Sequence, residues 1–207
     1  ETQSYALISR DGDHRKLACG DPSIAPRLAL LDPEVLHTCP RDVAITAALD
    51  TLVHGLETAV TTKRNQLSIA WSHRCTFLAW HGLHAWLQDP HEPEALEWLQ
   101  WASALGGLAI ESSMLGAAHA AANPLTARLD VPHGRAVALM APSVMRFNAN
   151  APTAARRYQE LALVLGLGDV GTLIDRVTSL IHRVAPSLAF DVAPRARPIV
   201  AELAQDA

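Results

Sequence analysis

Four side chains in this sequence have the types and spacing to hold a divalent cation: Asp50, His54, His119 and His133. Asp50 and His54 stand four residues apart in AALDTLVHGLE, so on a helix they share one face. An isolated Asp-x-x-x-His is most often a solvated surface pair. Here the neighbours are apolar, and a carboxylate on an apolar helix is costly unless something compensates it. His119 and His133 lie fourteen residues apart in HAAANPLTARLDVPH. Singly, His119 reads as a satisfied core histidine and His133 as an exposed residue at a helix start. Jointly with the Asp50–His54 pair they are better explained as ligands. One carboxylate and three imidazoles suit a transition metal such as iron or zinc.

These residues need elements that bring them together. Residues 40–62 read as a helix carrying Asp50 and His54, either continuous or interrupted near Thr46. The stretch before His133 predicts a small-residue helix with His119 late on it and a break at Asn123-Pro124. A further helix then opens at Pro132, since proline is tolerated in a first turn. It runs to about Leu139, with Pro142 ending or kinking it. Residues 67–87 form another helix. Residues 94–121 form two helices or a bent one, with Gly106-Gly107 permitting a bend or a close helix contact. Residues 153–165, capped by Thr153 or Asn150 and ended by Gly166, and residues 171–184 add two more. A Pro- and Arg-rich stretch precedes a last short helix over 199–204. Strand character is confined to residues before about Leu36, at 4–9 and 27–31, with turns at 10–13 and at Asp21-Pro22. The fold class is therefore mainly α.

The segment DTLVHGLE (residues 50–57), followed by His119, Pro124-Leu125, Pro132-His133-Gly134 and Met145-Arg146-Phe147-Asn148, resembles the iron-containing (group III) alcohol dehydrogenases, relatives of glycerol dehydrogenase and dehydroquinate synthase. The resemblance runs from the amino-terminal strands to about Gly168. It implies a dehydroquinate synthase-like carboxy-terminal helical domain over residues 38–207. Residues 1–37 become a strand-containing crossover segment belonging to an α/β nucleotide-binding domain. The family's Gly-rich phosphate turn does not occur here, so the expectation is the carboxy-terminal catalytic half of a longer enzyme. The family's metal-binding Asp falls on Asp50, and its histidines fall on His54, His119 and His133. The implied cofactors are Fe2+, with Zn2+ as the alternative, and NAD or NADP held through the other domain. The implied reaction interconverts a small-molecule alcohol and an aldehyde or ketone, and relatives often form a homodimer. Two positions depart from the pattern. Asn123 stands where the family usually has a histidine beside the nicotinamide, and Ala48 stands where it tends to have glycine. Asn123 reads both as a helix-end residue before proline and as a contact to substrate or nicotinamide; the two roles are compatible. His133 is expected to border the cofactor as well as the metal.

Composition narrows the alternatives. With 207 residues and 49% hydrophobic content the chain can build a sizeable core. A formal charge of −4 gives no basic surface for nucleic acid. Cys19, Cys39 and Cys75 are odd in number and widely spaced, as in a cytoplasmic protein with reduced thiols. No apolar run is long enough to span a membrane. His73, His81 and His84 share one tryptophan-rich helix, but no carboxylate or cysteine stands beside them at ligand spacing. His14, His37, His91 and His182 read as surface residues. The tryptophans read as core or helix-interface residues, and Arg135 and Arg146 as a solvated face. Two other functions compete with the dehydrogenase: a lyase in the manner of dehydroquinate synthase, and a non-catalytic helical metal-binding or interaction fragment.

Overall fold

The computed structural model of the chain describes residues 2–10, 16–185, 195–196 and 200–205. Eight helices can be traced among them: α1 (Arg41–Thr58), α2 (Gln66–Gln88), α3 (Pro93–Ser113), α4 (Ala117–Leu129), α5 (His133–Asn148), α6 (Pro152–Val164), α7 (Val170–Val184) and the short α8 (Val200–Gln205). Ahead of them, β1 (Tyr5–Ser9) and β2 (Lys16–Gly20) pair as an antiparallel hairpin in which Tyr5 faces Gly20 and Ser9 faces Lys16. The mainly α expectation holds, and strand lies before Leu36. The second strand is not at 27–31, however, where Leu28 and Leu30 stand 75% and 82% exposed in an irregular connection. Its short apolar run marked that segment, but backbone pairing went to the residues that a hairpin brings opposite β1. Most of the expected turn at 10–13, and His14, lie outside the described residues.

The body is a helix assembly centred on α1. Leu49, Leu52, Val53 and Leu56 on α1 are almost fully buried, each stabilising by about 1.5–3 kcal/mol through removal from water. Helix α2 runs antiparallel to α1, and Gly55 makes the approach possible. A Cβ there would lie 2.4 Å from Thr76 Oγ1 and 2.9 Å from the Thr76 backbone nitrogen. The buried Thr58 and Ser72 hydroxyls share a 2.7 Å hydrogen bond across this interface. Helix α2 starts at a capping box in which the Asn65 side chain accepts from Leu67 N and Ser68 N. Trp80 and Trp86 on α2 are buried, as an interface role requires, whereas Trp101 on α3 is 47% exposed.

Several local expectations are corrected. Helix α1 is uninterrupted at Thr46. Residues 94–121 do form two helices, but they part at Met114, whose φ is +61°, and Gly106 serves the close contact, a Cβ there lying 3.3 Å from His54 Cβ. Asn123-Pro124 does not break the chain: Pro124 is buried inside α4, so Asn123 is a mid-helix residue and His119 comes early on its helix, not late. Likewise α5 continues through Pro142 to Asn148. In both helices packing against buried neighbours outweighs the loss of one backbone bond to proline. Helix α6 begins at Pro152 with no side-chain cap, and the Asn150 amide donates to the Arg146 and Phe147 carbonyls at the end of α5. Among the described residues no helix is long and apolar enough to cross a membrane.

Candidate metal centre

The four predicted ligands come from three helices. Asp50 and His54 are one turn apart on α1. His119 is in the first turn of α4, and His133 is the first residue of α5. Helix α5 can come close because residue 134 is glycine: a Cβ there would sit 2.3 Å from the Thr46 carbonyl oxygen and 3.1 Å from Asp50 Cβ. Only hydrogen fits between these backbones, and the contact sets His133 beside Asp50.

The side chains converge on one carboxylate oxygen. From Asp50 Oδ1 the Nε2 atoms of His119, His54 and His133 are 3.2, 3.5 and 4.0 Å away. The His54 and His119 rings stack at 4.9 Å between centroids, and those of His119 and His133 are 5.5 Å apart. Asp50, His54 and His119 each offer a ligand atom within 4.8 Å of the others, a spacing one cation can bridge. His133 is the outermost of the four, its side chain 33% exposed against 5% for His119.

A fifth group, not singled out from the sequence, holds this arrangement in place. The carboxylate of Glu57 is almost fully buried and accepts a 2.6 Å hydrogen bond from His119 Nδ1. It also accepts from the backbone N–H groups of Gly116, Ala118 and His119, at 3.3, 2.6 and 3.3 Å. Helix α4 has no side-chain cap of its own, so Glu57 satisfies its orphan donors and adds negative charge at the positive end of the helix dipole. With Nδ1 committed to Glu57, Nε2 is the imidazole position left for a cation. The signal was present in the sequence: Asp50, His54 and Glu57 fall at positions 0, 4 and 7 along α1, on one helical face.

Electrostatics follow the partners. Burial drives the His54 pKa down to about 4 despite the nearby Asp50. Burial also opposes charge on His119, but hydrogen bonds to Asp50 and Glu57 outweigh it and carry that imidazole up to about 9. Burial would raise the Asp50 carboxyl; the His119 hydrogen bond and the surrounding imidazoles overcome it and hold the group below its ordinary value.

The cluster opens into a cleft of about 390 Å³ with a mostly apolar wall that includes Tyr5, Ile110, Met114 and Leu115. Asn123 lines it one turn after His119, and its buried Oδ1 has no hydrogen-bond partner among the described residues. Arg146 is remote from this cleft and pairs with Asp175 at 3.7 Å, in line with a solvated face.

Known proteins resemble the chain in sequence and in fold. The chain is 30% identical over 198 residues to the 1-propanol dehydrogenase PduQ of Salmonella typhimurium, covering 91% of the chain and 54% of that protein. An iron-containing alcohol dehydrogenase structure from Thermococcus thioreducens superposes with a TM-score of 0.88 at 29% identity, over 99% of the chain and 53% of that protein. A sulfoacetaldehyde reductase from Bifidobacterium kashiwanohense, solved with NAD+, has the same fold, with a TM-score of 0.82 at 24% identity over 88% of the chain and 48% of its own length. The chain thus spans about half the length of the relatives it matches. The sequence profile of the Fe-containing alcohol dehydrogenase family, C-terminal part, matches residues 44–202, and the chain belongs to that family.

Proposed function

We propose that this chain is the metal-binding catalytic half of an NAD- or NADP-dependent alcohol dehydrogenase, with Asp50, His54, His119 and His133 as ligands to Fe2+ or Zn2+. The observation that carries the reading is the convergence of three imidazole Nε2 atoms within 4.0 Å of one half-buried carboxylate oxygen. The donor set fits either metal: one hard oxygen, borderline nitrogens, and the Glu57 carboxylate hydrogen-bonded behind the His119 ring. When bound, the metal supplies Lewis-acid polarisation of the alcohol or carbonyl oxygen during hydride exchange with the nicotinamide.

The chain's own residues do the remaining work. Glu57 fixes the His119 ring and its tautomer. The apolar wall formed by Ile110, Met114 and Leu115 excludes water from the reacting centre and accepts an alkyl chain. Asn123 orients substrate or nicotinamide through a hydrogen bond to its unpartnered oxygen. It does not titrate near neutrality, so the alcohol proton leaves through water or a ribose hydroxyl. His133, at the exposed rim, borders the cofactor. Residues 1–37 then belong to the nucleotide-binding domain and residues 38–207 to the helical domain, a division consistent with both strands lying before residue 21. The protein acts in the cytoplasm on a small alcohol or aldehyde, as a homodimer and without nucleic acid or membrane. Turnover of an alcohol panel with NAD and NADP by the full-length protein tests the reading, measured after chelation and after reloading with Fe2+ or Zn2+. Turnover that survives complete metal removal refutes it.

A further inference from the structure

Two histidines outside the buried centre form a second arrangement. His37 lies in the turn of 3-10 helix (Pro33–Thr38) that precedes α1, and His91 lies in the loop between α2 and α3. Fifty-four residues apart in sequence, their Nδ1 atoms share a 3.5 Å hydrogen bond, one ring donating and the other accepting, with 23° between the ring planes. Two nitrogens bound to one tetrahedral zinc at about 2.0–2.1 Å stand roughly 3.3–3.4 Å apart, so the observed separation lies close to a chelating bite.

The surroundings suit a cation. Glu34 Oε2 lies 3.8 Å from His37 Nε2, the ring nitrogen that does not face His91. At that distance, with the Glu34 side chain 84% exposed, the carboxylate adds negative charge beside the ring without a hydrogen bond to it. On the other side, Asp89 Oδ1 accepts a 2.9 Å hydrogen bond from the His91 backbone N–H, which fixes that residue's place in the loop. The turn is held against α3 independently, by the Gln100 amide donating to the Asp32 carbonyl at 3.0 Å. The two imidazoles are thus brought together by the fold itself, and much of the ordering that a bidentate site demands is already met.

We propose that His37 and His91 form a second, exposed site for one divalent transition metal, such as Zn2+ or Cu2+, with water completing the coordination. Bound there, the ion clamps the turn before α1 to the α2–α3 loop. The site is distinct from the buried centre and does not depend on its catalytic role.

Equilibrium dialysis of the intact protein against Zn2+ tests this, comparing the parent with His37→Ala and His91→Ala. The expected result is that each variant binds one ion fewer per chain than the parent. The rise in melting temperature on adding Zn2+ should also be smaller in both variants, since an ion that binds only the folded state stabilises it. Variants that bind as many ions as the parent overturn the proposal. A second readout follows the ligand atoms: added Cu2+ should give an electron paramagnetic resonance spectrum with nitrogen coupling that His37→Ala and His91→Ala each reduce. Coordination by oxygen alone overturns the proposal too.

Discussion

Helices α1 and α2 lie antiparallel against each other, and both carry histidines on buried or half-buried faces, yet only α1 builds a site. On α1, His54 sits between Asp50 and Glu57, and the starts of α4 and α5 deliver two more imidazoles to the same point. On α2 each histidine meets a different neighbour. His73 lies 3.7 Å from Glu160, His81 packs on Phe77 and Trp98, and His84 Nδ1–H donates to the Trp80 carbonyl at 2.8 Å. Burial lowers the pKa of all three α2 histidines and of His54. His119, held between two carboxylates, is raised instead. Spacing along one helix therefore does not make a centre. A carboxylate on the shared face, and other helix ends arriving above it, do.

The sharpest way to break this contrast is to remove the imidazole at its focus. His119→Ala in the full-length enzyme should abolish metal binding and turnover together, as read by metal analysis of the purified protein and by steady-state rates. A variant that kept its metal and its rate would put the centre elsewhere. Next comes Glu57→Gln. It keeps the shape but removes the charge facing His119, and metal affinity should fall by about 10–100-fold in chelator competition. An unchanged affinity would reduce Glu57 to a helix cap.

That second variant marks what could be read from sequence. That Asp50, His54, His119 and His133 lie together was legible because the helical spacing of the first pair and the order of the resembled family's residues point to one place. Glu57 was in plain view three residues after His54, but a buried carboxylate looks like any helix-surface glutamate until the start of α4 is placed above it. The position of His119 was misjudged for a related reason. Pro124 is a strong local signal for a break, whereas packing around buried Pro124 and Leu125 decides that α4 continues. Residues 27–31 show the same limit in a strand: they are short, apolar and strand-like in sequence, but pairing is a tertiary fact.

Gly134→Ala probes how α5 is brought in. The added methyl meets the Thr46 backbone, so α5 must shift, at a cost of about 1–3 kcal/mol in denaturant unfolding. Metal affinity should fall with it, because His133 moves away from Asp50. A smaller effect is expected from Asn123→Ala, which removes an orienting group but no ligand. Turnover should fall modestly with metal content unchanged. Parent-like rates at every pH would leave Asn123 without a role in the cleft.

The smallest effect belongs to α2, and it tests the contrast from the other side. His84→Ala should leave metal content and turnover unchanged. It removes the hydrogen bond to the Trp80 carbonyl and the ring contact with Trp80, 4.5 Å between centroids, a loss of roughly 0.5–1.5 kcal/mol for the bond. The effect should also depend on pH in a defined direction. Burial, assisted by Arg183 and Arg176 and partly opposed by the bond to Trp80, holds the folded-state pKa of His84 below its ordinary value. Below about pH 6.5 the unfolded chain takes up a proton here that the folded chain resists, so the parent loses stability at this position as pH falls. The alanine variant lacks that loss. The stability gap between parent and variant, measured by urea unfolding, should therefore be widest near pH 8 and narrow towards pH 5. A gap that widens on acidification would mean that His84 is stabilised as a cation, and that α2 carries a carboxylate partner for it after all.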